Sequence, residues 1–258
     1  MENISKASMM KYRLSIVSYI NTFPFLYGIQ RHWEELDIEY SLDYPSECAQ
    51  KLINGQVDIG LVPVGILPKM NHYQIISDYC IGSDGKVDSV LLLSQVPLNE
   101  IECIILDYQS VTSVLLTKIL AKYFWHLNVK WRKGRPGYEH QIVGKEAVLV
   151  IGDRAFTYKT QAKFVYDLSV EWKKFTSLPF VFALWVANKP IDQNFIDKFN
   201  TVLSIGINNL DKVIAEYQNL ITNSNFDMYD YLANKISYQY DNNKRMAMNK
   251  FLQLARSV

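Results

Sequence analysis

The residues able to do chemistry sit in a few short polar stretches: Ser18-Tyr-Ile-Asn-Thr22, Ser110-Val-Thr-Ser113, Ser89, and Asp153 within Ile151-Gly-Asp-Arg-Ala155. They supply hydroxyls, the carboxamide of Asn21 and a carboxylate, and none carries histidine, lysine or glutamate. Ser18–Thr22 lies between an apolar run, Leu14–Val17, and Pro24, which opens a helix. Asp107–Ser113 has the same setting, after Ile101–Leu106 and before the helical spacing of Val114–Phe124. In an open α/β sheet the loops at the carboxyl ends of strands hold ligands. The N–H groups that start the following helix favour anions. Neutral donors in that place suit a small carboxylate, and any chemistry there must be gentle.

Each stretch also has a plainer reading. Asn21 or Thr22 ahead of Phe23-Pro24 would serve as a cap and turn. One of Ser110, Thr112 and Ser113 suffices as a cap, and three hydroxyls exceed that need. Ser89 opens an apolar run, Ser89–Ser94, at a passage between two halves of the chain, so it faces a cleft if it faces anything. Asp153 could pair with Arg154, cap a helix or touch a ligand. Asp84-Gly85 reads as a hairpin turn. The aromatic stretch Thr176–Trp185 reads mostly as core, with part of it available as a wall for a flat, unsaturated ring. Lys130, Arg132, Lys133 and Arg135 read as a solvated face.

Alternating strand and helix signals must position these loops. Strands are expected at Leu14–Val17, Ile38–Leu42, Val57–Val62, Ser89–Ser94, Ile101–Leu106, Val129–Arg132, Ala147–Ile151 and Phe180–Val186. Helices are expected at Phe25–Leu36, at Glu47–Asn54 with Ser46 as N-cap, and at Ser110–Phe124. Two long helices, Gln193–Glu216 and Met228–Ala255, close the chain. This alternation predicts two α/β units built on parallel strands, with Ser89–Ser94 and Phe180–Val186 as the passages between them. A chain that leaves one lobe, builds a second and returns creates a cleft, the default binding site. We expect residues 1–92 to begin the first lobe, 93–183 to form the second, and 184–258 to return to the first. No internal repeat is evident.

Composition narrows the function classes. The chain has 258 residues, 49% of them hydrophobic, with a net charge of +1. That balance gives no general attraction to nucleic acid or to an anionic membrane, so anion binding has to be local. Cys48, Cys80 and Cys103 stand in apolar contexts without paired spacing, as expected of reduced thiols. Residues 1–11 are polar, which points to a cytoplasmic protein. His32, His72, His126 and His140 are dispersed without metal spacing. With no phosphate-binding loop, dinucleotide fingerprint or nucleophile elbow, no cofactor is expected.

The ordered set of segments resembles the chorismate dehydratase family, from about Arg13 to Trp185. The segments are Ser18-Tyr-Ile-Asn-Thr, Gly60-Leu-Val-Pro-Val, Ile76-Ser-Asp-Tyr-Cys-Ile-Gly, Val87-Asp-Ser-Val-Leu-Leu, Asp107-Tyr-Gln-Ser-Val-Thr-Ser, Ile151-Gly-Asp-Arg-Ala and Leu178-Pro-Phe-Val-Phe-Ala. The resemblance implies a two-lobed α/β fold of the type II periplasmic-binding-protein kind with two crossover strands and a central cleft. It implies loss of water from chorismate to give 3-[(1-carboxyvinyl)oxy]benzoate, a step toward menaquinone. It makes Asn21 the first candidate for the critical residue, with Ser89 beside it. Ser18, Thr22, Ser110, Thr112, Ser113 and Asp153 are then expected around the substrate. Because the loops hold no His, Lys or Glu, the enolpyruvyl carboxylate of the substrate is the expected base, with Asp153 in reserve. Two other functions stay open: a carboxylate-binding receptor without turnover, and the 1,4-dihydroxy-6-naphthoate synthase of the same pathway, which relies on a cleft histidine.

Overall fold

The computed structural model describes residues 11–221 and 226–258. Its two sheets repeat one topological plan. In the first, β1 (Tyr12–Val17) is flanked in parallel by β2 (Ile38–Asp43) and β3 (Ile59–Pro63). The second has β6 (Cys103–Leu106) flanked in parallel by β7 (Lys130–Lys133) and β8 (Glu146–Ile151).

Each sheet then accepts an antiparallel strand that arrives from the other side of the molecule. In the first sheet β10 (Phe180–Ala187) lies between β3 and β4 (Gln74–Ser83), and β11 (Ser237–Gln239) pairs with the far edge of β4. In the second, β5 (Val90–Ser94) lies between β8 and β9 (Phe164–Asp167). The orders β2-β1-β3-β10-β4 and β7-β6-β8-β5-β9 therefore correspond strand for strand. The fold is two-lobed α/β, and β5 and β10 are its exchanged strands.

Several expected elements change in detail. β5 pairs along its length inside the second sheet and β10 inside the first. The passages are therefore the short segments just before them, 84–89 and 177–179, rather than the apolar strands. Asp84-Gly85 is thus no hairpin turn; it starts the first passage, between strands of different sheets. β4 and β9 were not anticipated.

Among the helices, α1 (Phe23–His32) stops short of Leu36, and Asp37 closes the turn that follows in the left-handed region, φ 51°. α2 (Pro45–Ile53) begins two residues early. Pro45 fills its first position, the Tyr44 N–H is taken by the Glu47 carboxylate at 3.2 Å, and Ser46 lies inside the first turn instead of capping it. The cleft helix of the second lobe, α3, spans Thr112–Tyr123. After β8 come α4 (Arg154–Tyr158) and, following β9, α5 (Leu168–Thr176), whose first N–H groups are capped by Asp167.

The expected helix 193–216 is two, α6 (Gln193–Ile207) and α7 (Leu210–Tyr217), because the Asn209 side chain takes the Ile205 carbonyl at 2.7 Å and ends the first. The expected helix 228–255 is broken more thoroughly. A single turn, α8 (Met228–Asp230), runs into a π turn at Tyr231–Lys235, then β11, and only then α9 (Asn242–Ala255), capped by Asp241. Alternation in Ile236-Ser-Tyr-Gln-Tyr240 is the strand signal that the helical periodicity obscured.

Packing fixes where the first loop points. α1 crosses α6 closely: a Cβ at Gly28 would come within 2.0 Å of the Val202 carbonyl oxygen, and one at Gly206 within 1.8 Å of that of Pro24. Only glycine permits that approach, which anchors the start of α1 and the turn before it. Cys48, Cys80 and Cys103 are free thiols. All of β7, with Lys130, Arg132 and Lys133, is exposed. No helix among the described residues is long and apolar enough to cross a membrane.

Candidate functional site

Between the lobes lies a narrow cavity. The loop after β1 gives it Tyr19 and Asn21, the start of α3 gives Ser110, Thr112 and Ser113, and the first passage gives Val87 and Ser89. Phe182 and Ala183 of β10 and Gly152 after β8 complete its walls, so the aromatic stretch does contribute one ring to the cleft. None of the lining residues is charged, and none is a histidine. His72, His126 and His140 are exposed, and half-buried His32 faces Glu35 at 3.1 Å.

The polar groups in this cavity are unequal. Asn21 Oδ1 is buried without a hydrogen-bond partner among the described residues. An unsatisfied buried acceptor costs about 1–3 kcal/mol, so this atom is a candidate to accept a hydrogen bond from a ligand. The Ser89 hydroxyl accepts from the Tyr231 phenol at 2.8 Å, which leaves its own hydrogen free. Ser110 Oγ accepts the Ser113 N–H at 3.0 Å and so caps the first turn of α3. Ser113 lines the same cavity.

Thr112 lines the cavity, yet its hydroxyl is already employed. It accepts the Gly65 N–H at 3.0 Å and donates to the Phe182 carbonyl at 3.2 Å, tying α3 to the other lobe. Thr22 does not line the cavity. Its buried hydroxyl stands 2.7 Å from the carbonyl oxygens of both Val17 and Tyr19 and closes the turn after β1. Ser18 is exposed and borders a neighbouring depression together with Asp153. Asp153 accepts the Ile20 N–H at 3.2 Å across the lobes, and burial pushes its carboxyl up to about 6 against the lowering effect of that N–H. It does not pair with Arg154. That guanidinium instead reaches Asp107 at 2.6 Å and Glu139.

This second-lobe network also sets the cleft wall. Gln109 accepts from Arg154 at 3.0 Å and from the Tyr19 phenol at 2.7 Å. The Tyr19 ring in turn rests on Gly152, where an added Cβ would lie 2.8 Å from it, and φ is +62°. Glycine is required there on both counts.

The passage before Ser89 is held as firmly. Asp167 accepts the N–H groups of Val87 and Asp88 at 2.9 and 2.7 Å while capping α5. Asp88 sits in the left-handed region at φ 61°. Its carboxylate meets Lys235 at 2.8 Å, Lys86 at 3.1 Å and Lys159 at 3.7 Å. Burial works against its charge, but the lysines prevail and hold the carboxyl below its ordinary value.

Of the residues marked from the sequence, the cavity thus gathers Asn21, Ser89, Ser110, Thr112 and Ser113, and leaves Ser18, Thr22 and Asp153 at or beyond its edge. Sequence reasoning missed Tyr231, which reaches Ser89 from 142 residues away. No local pattern marks that phenol; recognising β11 would have returned its segment to the first lobe.

The comparisons bear on the fold and the family. A chorismate dehydratase of Thermus thermophilus is 28% identical over 201 residues, covering 69% of this chain and 70% of that protein. The solved structure of AF1704 from Archaeoglobus fulgidus matches with a TM-score of 0.74 at 14% identity, covering 97% of this chain and 98% of that one. The Candida albicans CA3427 gene product, described as having the generic periplasmic binding protein fold, matches with a TM-score of 0.62 at 11% identity over 96% and 90%. A family model described as menaquinone biosynthesis matches residues 12–257, and the chain belongs to that family.

Proposed function

We propose that this protein dehydrates chorismate to 3-[(1-carboxyvinyl)oxy]benzoate, with the substrate's enolpyruvyl carboxylate as the base. The observation that carries this reading is a cleft that joins the orphaned Asn21 acceptor to Ser89, Ser110 and Ser113 without a charged group. Kinship to a family concerned with menaquinone biosynthesis supports it, as does the Thermus relative.

Chorismate carries two carboxylates. One fits the first turn of α3, where Ser110 and Ser113 stand at the positive end of a twelve-residue helix. The other, on the enolpyruvyl group, lies toward Asn21 and Ser89 and takes the ring proton beside the enol ether. The electron pair left behind spreads through the ring diene to the ring carboxylate. Expulsion of the neighbouring hydroxyl then makes the ring aromatic. The proton removed from carbon goes to the departing hydroxyl, so water leaves and the carboxylate is restored. Asn21 Oδ1 accepts the O–H of that hydroxyl and orients it, while Ser89 donates to its oxygen, where negative charge grows as the C–O bond breaks. Fixed dipoles in a site closed to water stabilise such charge more than solvent does.

The test is direct. Incubation of the purified protein with chorismate should give the aromatic product, followed by ultraviolet absorbance and mass. Chorismate bound without conversion would instead favour a carboxylate receptor on the same fold, and neither binding nor conversion would refute the reading.

A further inference from the structure

The C-terminal return segment touches both residues to which the reaction is ascribed. The Tyr231 phenol donates to Ser89 Oγ at 2.8 Å, Lys235 binds the neighbouring Asp88 at 2.8 Å, and the Tyr238 phenol donates to the Asn21 carbonyl at 3.0 Å. Tyr231 and Lys235 are the two ends of a π turn, an irregularity that is rare in helices and is frequent at functional sites. The pair they grip, Asp88-Ser89, includes a non-glycine residue held in the left-handed region, a conformation that persists only where its surroundings enforce it.

We infer that Tyr231 is a positioning residue that fixes the Ser89 hydroxyl as a hydrogen-bond donor into the cleft. A serine hydroxyl has one hydrogen and can serve as either donor or acceptor. With the phenol donating to its oxygen, its own hydrogen is left for another acceptor, and Ser89 lines the cavity. The phenol stays neutral, and therefore a donor, because burial drives its ionisation far above the ordinary tyrosine value; Ser89 and Asn21 counter this only in part. Its ring is held edge-on against Phe156, with centroids 5.0 Å apart, so the hydroxyl has little freedom to turn away. Tyr231 is 1% exposed and is not among the residues lining the cavity. It acts on the substrate through Ser89 rather than by direct contact.

This inference rests on the proposed dehydration, and its test separates the two. Tyr231→Phe keeps the ring and its packing and removes only the O–H. We expect kcat for chorismate to fall about 10- to 100-fold with KM changed less than threefold, the pattern of an interaction realised in the transition state. In a Ser89→Ala background, itself strongly impaired, Tyr231→Phe should cost no further activity. Undiminished kcat in Tyr231→Phe while Ser89→Ala is crippled would overturn the inference and leave the proposed dehydration standing. So would an equal fold-loss in both backgrounds, or a lowered Tm with kcat unchanged. Full turnover in Ser89→Ala would overturn the role of Ser89 in the dehydration, and the inference with it.

Discussion

The loops after β1 and after β6 occupy equivalent places in the two sheets, and they use similar residues differently. After β1, Thr22 closes its own turn and Ser18 faces outward, so Asn21 alone presents an unpartnered group to the cleft. After β6, Ser110 caps the helix, Thr112 bolts the lobes together and Ser113 is left over. One loop offers a single reactive contact, and the other offers a helix end with its hydroxyls shared between structure and ligand. On the proposed reading, an anion-binding end and a bond-breaking end are built from the same neutral residue types. What separates them is which polar atoms the fold has already satisfied.

Asn21→Ala is the sharpest way to break this contrast. It should lower kcat about 10²-fold, the scale of a reacting group left misoriented, with Tm unchanged within a few degrees. Wild-type rates in that variant would remove the distinction between the loops.

The second-lobe loop should respond in two separable ways. Thr112→Val leaves the buried Gly65 N–H without a partner, at a cost of about 1–3 kcal/mol. It should lower Tm and raise KM through weaker lobe closure. Ser113→Ala removes a hydroxyl with no structural duty and should raise KM about tenfold (one lost contact of ~1.4 kcal/mol) while leaving Tm in place. Steady-state kinetics paired with thermal melts distinguish them, and identical responses would merge the two roles.

Asp153 should give the smallest effect. Its carboxyl titrates near 6 in the fold, above its ordinary value, because it is buried. The folded state therefore holds that proton longer than the unfolded chain does, and stability is lost as pH rises from the ordinary carboxylate range through about 6. Asp153→Asn keeps an acceptor for the Ile20 N–H and has no charge to bury. Its Tm should exceed the parent's by a few degrees at pH 8, with the gap closing toward pH 4. A large loss of turnover in place of that gain would move Asp153 into the proton chemistry, as first considered from the sequence.

Much of the fold was legible because strand and helix periodicities are local. β1, β2, β3, β5, β6, β7, β8 and β10 all stand where apolar runs place them, within a residue or two. Residues 228–255 were not, because a π turn and a three-residue strand interrupt a stretch whose apolar spacing also fits a helix. The shared plan of the two sheets leaves no trace as a sequence repeat, since topology constrains strand order and not residue identity.

What the residues alone determined is the character of the site: neutral donors at strand ends beside helix starts, with no acid or base of ordinary strength among the loops' hydroxyls and amide. That follows from side-chain chemistry and position along a strand, both local. Tertiary structure decided which of those groups are free to act. Thr22 and Thr112 are consumed by backbone partners, Asn21 is not, and Ser89 receives its hydrogen bond from a tyrosine 142 residues away. A polar atom's function depends on its partners, and in a chain that crosses twice between lobes those partners come from anywhere along it.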